Sequence, residues 1–296
     1  MKLRTKAELI LFATTFIWGS TFIVLKSAEQ LISPFVFVTI RFTIGAAVFA
    51  AVFNKKLRSL NNTAIRNGTI LGILLGVGIA VQNYGLQFTT ASKSAFITGM
   101  MVIFTPLAQM VIEKRMPTLG NIVGIVLVSI GLFLLTSPAS SGFNIGDAFT
   151  LFSAFLFGIY IVYLDIFAKK SDVYHLTFVQ IFCSGLIALC MIPMETARLT
   201  LNMQMIAMLL YMGILATIVT TYSQSRFQKE TTPTRAVIIF TIEPVISAVL
   251  AYFVLGEMLG RNGILGGIFI IAGILISELF ETMVEKFGWK ISIVKE

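Results

Sequence analysis

The residue of this chain best able to hold an ion is Arg41, in Val38-Thr39-Ile40-Arg41-Phe42, inside an apolar run from 33 to 53. A guanidinium deep in hydrocarbon costs at least about 2.5 kcal/mol on insertion scales, so it must face a partner or a wet cavity. Glu243, in Thr241-Ile242-Glu243-Pro244, sits inside the run 233 to 254. At 1.5 Å per residue Arg41 lies roughly 12 Å from the outer end of its run, and Glu243 roughly 15 Å from the inner end of its own. In a core about 30 Å thick the two depths nearly coincide, so they are expected to be close, with one or both lining a central cavity. Arg41 could then bind a substrate carboxylate, with Glu243 as a cation or proton site. The bland alternative is a structural ion pair, or Arg41 bonded to backbone carbonyls.

Other candidates are softer. Trp18 is mid-helix, away from any interfacial belt, and is either a cavity wall that stacks on a flat substrate or simple packing. Gln82, Asn83 and Tyr84 are polar for a spanning helix and could supply hydrogen bonds at a cavity's outer mouth, or mark a solvated helix end. Tyr160, Tyr163, Gln180 and Tyr222 are similar positions in the second half of the chain. Gln180 stands where a repeat places the counterpart of Arg41, so a cavity between the halves would favour an anionic group on the first-half side.

These residues need elements to hold them, and the composition says which. Of 296 residues, 57% are hydrophobic and 12% charged, with mean hydropathy +0.92. A soluble domain carries about 25% charged residues, so this is an all-α membrane protein whose solvent is a lipid bilayer. Ten runs approach the roughly 20 apolar residues a spanning helix needs: 9–26, 33–53, 66–88, 93–112, 119–136, 146–168, 173–193, 203–223, 233–254 and 262–281. Lys2, Arg4 and Lys6 precede the first run, which is read as a retained helix because it carries Trp18 and lacks a small-residue cleavage site. With the N-terminus inside, seventeen lysines and arginines fall on the inner side, against Lys26, Lys93, Arg198 and Arg261 on the outer. That bias places both termini in the cytoplasm, and in a bacterial-type cell the chain in the inner (plasma) membrane. It also accounts for the net charge of +8 without nucleic acid.

The chain repeats itself. Trp18-Gly19 matches Phe157-Gly158 and Arg41 matches Gln180 at a shift of 139. Tyr84 and Thr105-Pro106 match Tyr222 and Glu243-Pro244 at 138, and Gly124 and Gly131 match Gly266 and Gly273 at 142. Five helices per half is an odd number, so the second half enters the membrane from the opposite side. Inverted repeats of this kind hold substrate near the midplane and rock around it. The repeats span 7–137 and 145–281, and 282–296 is a cytoplasmic tail.

Trp18-Gly19-Ser20, the arginine of Val38-Thr39-Ile40-Arg41-Phe42, and Pro244 followed by Gly256-Glu257 resemble the EamA family of the drug/metabolite transporter superfamily, over residues 7 to 280. The resemblance implies ten helices in two EamA repeats and export of amino acids, metabolites or toxic compounds. In the first half Pro106 stands only seven residues before Glu113, against thirteen from Pro244 to Glu257, which predicts a fourth helix shorter than the ninth.

Several residues read as structural. Asp165 is four before Lys169, an ordinary helix pair. Met205, Met208 and Met212 form a packing stripe, Gly72/Gly76 and Gly120/Gly124 let helices approach, and Cys183 and Cys190 pack as small apolar groups. Pro233 starts a helix, and Pro244 is expected to kink one mid-length, freeing carbonyls beside Glu243. His175 is the only histidine, HExxH is absent and no carboxylates cluster within the helices, which argues against a membrane-embedded enzyme. No G-x-x-x-x-G-K-[ST] loop provides direct ATP drive. No cofactor is expected. The reading is a secondary transporter of a small-molecule substrate, an exporter before an uptake permease, with a proton as possible coupling ion. Short loops leave little surface for a receptor's partner.

Overall fold

The computed structural model describes residues 3–136, 143–256 and 260–287. The first half comprises α1 (Leu3–Ala28), α2 (Pro34–Leu57), α3 (Asn62–Leu86), α4 (Ala91–Gly99), α5 (Met101–Glu113) and α6 (Leu119–Thr136). The second comprises α7 (Ile145–Ala168), α8 (Val173–Met191), α9 (Met203–Gly213), α10 (Thr220–Phe227), α11 (Pro233–Phe240), α12 (Ile242–Leu255) and α13 (Arg261–Phe287). A π-helical segment, Ile214–Val219, joins α9 to α10. No strand occurs among the described residues beyond one isolated bridge, Ile32 to Leu199.

The apolar runs of the sequence are helical, with 93–112, 203–223 and 233–254 each divided between two helices, and several helices begin where polar residues cap them. Asn61, Thr90, Asn202 and Thr232 each accept a hydrogen bond from the backbone N–H three residues on, and Asn144 and Asp147 form a reciprocal capping box at the start of α7. Pro34 and Pro233 stand in first turns, where the missing N–H costs nothing. The last helix continues to Phe287, past the expected end at 281, because helix-forming residues follow the apolar run.

Among the described residues eight helical stretches are long and apolar enough to cross a membrane, and α6 and α13 contribute shorter apolar stretches, Leu119–Leu134 and Arg261–Ser277. Polarity is arranged inside out. Val111, Phe133 and Phe253 are 79%, 67% and 76% exposed, while Gln180, Ser184 and Thr220 are fully buried. In water such an apolar exterior would drive association; against acyl chains it is the stable face.

The two halves pack by the same plan with roles exchanged. Helix α3 packs on α8 and α2 on α9; α3 on α7 and α1 on α10; α5 on α7 and α1 on α12; α6 and α13 pack on each other. Glycines fix the directions. A Cβ on Gly131 would lie 2.6 Å from the Gly266 carbonyl, and one on Gly124 3.0 Å from that of Gly273, so α6 and α13 are antiparallel and related by a two-fold. Gly78 abuts Phe157 and Gly85 abuts Gly146, so α3 and α7 are antiparallel; Gly68, Gly72 and Gly76 abut Val179, Gln180 and Ser184 in rising order, so α3 and α8 are parallel. Since α2 and α3 are joined by a tight turn, α8 runs against α2, its counterpart in sequence.

Two expectations fail. The helix expected to kink at Pro244 divides earlier, at Thr241, leaving Pro244 in the first turn of α12. The proline ring clashes with the carbonyl four residues back, that of Phe240, where α11 ends. The fourth and ninth spans are also equal, 23 residues each. Lys114 and Gly256 take the left-handed cap conformation at the two ends, with φ of 55° and 69°. The counterpart of Glu113 is therefore Leu255, and Glu257 lies outside the described residues.

The structural readings hold for most residues. Lys169 Nζ sits 2.6 Å from Asp165, and Met205 and Met212 are fully buried with Met208 against the same cluster. Both cysteines are free thiols, but Cys190 lies on the apolar exterior rather than in packing. The close helix contacts make a test. Gly131→Ala overpacks α6 against α13, at about 1–3 kcal/mol, and is expected to lower the melting temperature by several degrees at about 2–4 °C per kcal/mol. Gly267→Ala, on α13 with nothing nearer than 3.8 Å, is expected to leave it unchanged. Equal shifts in a thermal-stability assay would contradict the packing described.

Candidate functional site

Helices α1, α2, α3, α4, α5, α7, α10, α11 and α12 and the π-helical segment surround a cavity of about 90 Å³ between the halves. Arg41 enters it from α2 and Glu243 from the first turn of α12. Trp18, Phe157, Tyr160 and Phe240 give it aromatic walls, and Thr21, Gln82, Thr98, Thr221 and Gln224 add polar groups.

Arg41 is held by the π-helical segment. Its Nε donates to Thr217 Oγ1 at 2.7 Å and its Nη2 to the Ala216 carbonyl at 2.8 Å. Thr217 spends its own proton on the Met212 carbonyl, five residues back, at 2.8 Å, which leaves lone pairs for the guanidinium. The wide π turn spares carbonyls that an α-helix would use, and such turns recur at functional sites. Gly45 and Gly213 let α2 approach closely enough, with a Cβ on Gly213 only 3.1 Å from the Arg41 carbonyl. The Arg41 side chain is thus fixed along one edge, and no described residue accepts from its Nη1.

Glu243 has no hydrogen bond or ion pair to any described residue, although the residue is only 8% exposed. Both residues line the one cavity, as their depths predicted, yet no ion pair joins them. The structural alternative for Arg41 is met in part, since a backbone carbonyl holds one of its nitrogens. The alternative for the pair is not met.

The remaining candidates separate by helical phase. Gln82 lines the cavity and donates to Thr98 Oγ1 at 2.7 Å. Asn83 does not: it turns to a separate small pocket with Pro34 and Phe37, where neither amide atom has a partner. Tyr84 points elsewhere again and stacks on Phe35 with centroids 5.3 Å apart. Successive residues on a helix diverge by about 100°, so three in a row cannot share one site. Tyr160 lines the cavity, whereas Tyr163 stacks on Phe167 at 5.4 Å. Gln180 lies behind Tyr160, accepting its hydroxyl at 3.0 Å and donating to Ser225 at 2.9 Å; it does not line the cavity. Tyr222 packs on Tyr174 at 5.4 Å, away from the cavity. Phe35 and Tyr174 are counterparts at a shift of 139, and each repeated tyrosine also meets a phenylalanine of the other half, Tyr84 with Phe149 at 5.4 Å and Tyr222 with Phe53 at 6.2 Å.

Thr21, Thr98, Thr221, Gln224, Phe157 and Phe240 line the cavity without having been singled out. Phe157 was legible as the counterpart of Trp18. Gln224 was legible as one of two glutamines four apart; it donates to Gln228 Oε1 at 3.0 Å.

Arginine and glutamate, with no ion pair between them, face one small aromatic-walled space.

The EamA-like transporter family model matches residues 5–137 and 144–279. An uncharacterized transporter of Archaeoglobus fulgidus is 31% identical over 93% of this chain and 87% of its own length. One from Clostridium kluyveri is 30% identical over 82% of this chain and 83% of its own. The uncharacterized transporter YoaV of Bacillus subtilis is 25% identical over 92% and 96%. A solved structure titled "Crystal structure of protein" superposes with a TM-score of 0.79 at 19% identity, covering 95% of this chain and 99% of that one, and it bears on the fold alone.

Proposed function

The chain belongs to the EamA-like transporter family, and from that premise we propose that it is a secondary transporter, exporting a small organic metabolite by alternating access. Its ten apolar helical runs, on this reading, are ten spans in two inverted repeats, 7–137 and 145–281. Both termini then lie in the cytoplasm and the protein in the inner (plasma) membrane.

The observation that carries the reading is the central cavity, where Arg41 and Glu243 enter from opposite halves without neutralising one another. A charged group left unsatisfied in a spanning bundle is costly, and such groups mark substrate and ion paths. Arg41 binds an anionic group of the substrate, such as a carboxylate. Glu243 takes its cationic group or a coupling proton. The walls of Trp18 and Phe157 cover its apolar part. The volume, about 90 Å³, favours an amino-acid-sized metabolite over a drug-like one, since drug-sized pockets run about 300–1,000 Å³. Uptake of the same kind of solute is the second reading, because the cavity has no direction of its own.

A melting-shift screen of purified protein against small carboxylates and amino acids tests this. A solute at a hundred times its Kd stabilises by about 2.7 kcal/mol, or roughly 5–10 °C at 2–4 °C per kcal/mol. With the affinity lowered about tenfold to a hundredfold, the shift at the same solute concentration is expected to fall to about half or less in Arg41→Met. A solute that shifts both proteins equally does not bind at this cavity.

A further inference from the structure

Two buried ion pairs tie one half of the molecule to the other. On α1, Glu8 Oε1 lies 3.0 Å from Arg235 Nη2 of α11. The same oxygen accepts from Arg4 Nε at 3.0 Å and Thr231 Oγ1 at 3.1 Å. On α7, Asp147 Oδ2 lies 2.6 Å from Lys93 Nζ of α4, and its Oδ1 accepts from Thr89 Oγ1 at 3.0 Å. The Asp147 and Arg235 side chains are 0% and 2% exposed, and their partners Lys93 and Glu8 14% and 15%.

The pairs are counterparts. Glu8 and Asp147 are 139 residues apart, the shift that relates Trp18 to Phe157 and Arg41 to Gln180. Lys93 and Arg235 are 142 apart, the shift that relates Gly124 to Gly266, and each gives its backbone N–H to the capping threonine of its helix, Thr90 or Thr232. The residue types differ between the halves, Glu with Arg and Asp with Lys, but the pairing of acid with base is kept at both places.

They also lie at opposite ends of the cavity. Glu8 is ten residues before Trp18 and Asp147 ten before Phe157, roughly 15 Å along each helix at 1.5 Å per residue. Arg235 is eight before Glu243 and Lys93 eight before Met101, roughly 12 Å. Helices α1 and α7 run in opposite directions, so one pair stands beyond each end of the site.

We infer that Glu8–Arg235 and Lys93–Asp147 are the two latches of the transport path, one of which must part for the cavity to open on its side. The inference rests on the alternating-access reading. Each latch joins the two bodies that would rock apart, at the end where rocking separates them most. An ion pair suits the task. Dry, it holds the ends together, because parting it without water strands two charges. When the end opens, water solvates both partners, and an exposed pair is worth little. The closed and wet arrangements are therefore both attainable, with nothing stable between them.

The test uses a reporter, Thr21→Cys in the cavity, in full-length protein whose Cys183 and Cys190 are serine, and a membrane-impermeant maleimide applied to right-side-out or inverted vesicles. With a minor open state at the per cent level, Asp147→Asn and Lys93→Gln are each expected to raise labelling up to about tenfold from one side only. Glu8→Gln is expected to raise it from the other. Lys93→Gln opens the same end as Asp147→Asn without touching the α7 capping box, so a folding failure of one leaves the other as the test. Labelling raised from the same side by both pairs, or unchanged by either, overturns the latches. Fast labelling of the parent from both sides together would instead overturn alternating access.

Discussion

Glu243→Gln is expected to lower transport at least about tenfold while leaving the protein as stable as the parent, or more so. The two effects separate because Glu243 has no partner in the chain to lose. Removing one member of a buried ion pair destabilises, since it strands the other charge. Here no charge is stranded, and a neutral amide of the same shape replaces a group whose desolvation nothing offsets. The loss of transport follows from the loss of a charge-assisted contact with substrate or proton, worth about 1.5–3 kcal/mol, which is roughly tenfold to a hundredfold. Transport in reconstituted vesicles, read beside the melting temperature, checks both. A melting temperature lowered by several degrees would mean that Glu243 holds structure and the site is misassigned.

Arg41→Met is the second large effect. Methionine keeps the apolar stem of the side chain and removes the charge. Substrate half-saturation is expected to rise about tenfold to a hundredfold, from the same 1.5–3 kcal/mol range for a hydrogen bond to a charged group. Stability is expected to fall modestly, because the Ala216 carbonyl keeps its bond from Thr220 Oγ1 at 2.9 Å. Thr217→Val separates position from charge: it removes the acceptor for Arg41 Nε but leaves the guanidinium in place, and should cost less than Arg41→Met. Equal losses in the two variants would show that Arg41 acts by bracing α2 against the π segment.

The sequence announced Arg41 and Glu243 because a charge inside an apolar run needs an explanation, and their depths alone placed them at one level. The helices were legible for a similar reason, since hydrocarbon allows few other ways to satisfy a backbone. What depth cannot give is rotation. Gln82, Asn83 and Tyr84 share a depth and face three ways, and only Gln82 reaches the cavity. The repeated Tyr84 and Tyr222 form a pattern in the sequence, but the repetition serves ring packing, of Tyr84 on Phe35 and Phe149 and of Tyr222 on Tyr174 and Phe53. Glu8, Lys93, Asp147 and Arg235 were hidden by their places at helix ends. There, charges ordinarily report only sidedness, and no local spacing reveals a partner more than fifty residues away. The helix break at Thr241 was placed late because a proline acts on the carbonyl four residues before it, not at itself.

Trp18 offers the most direct measurement of the central claim, that one cavity between the halves is where the solute sits. The chain has two tryptophans, Trp18 and Trp289, so Trp289→Phe leaves a single indole, in the cavity wall. Titrating the transported solute into this variant should change Trp18 emission saturably, with the same half-saturation as transport, and Arg41→Met should shift both together. A solute that is transported while Trp18 emission stays flat would contradict the account.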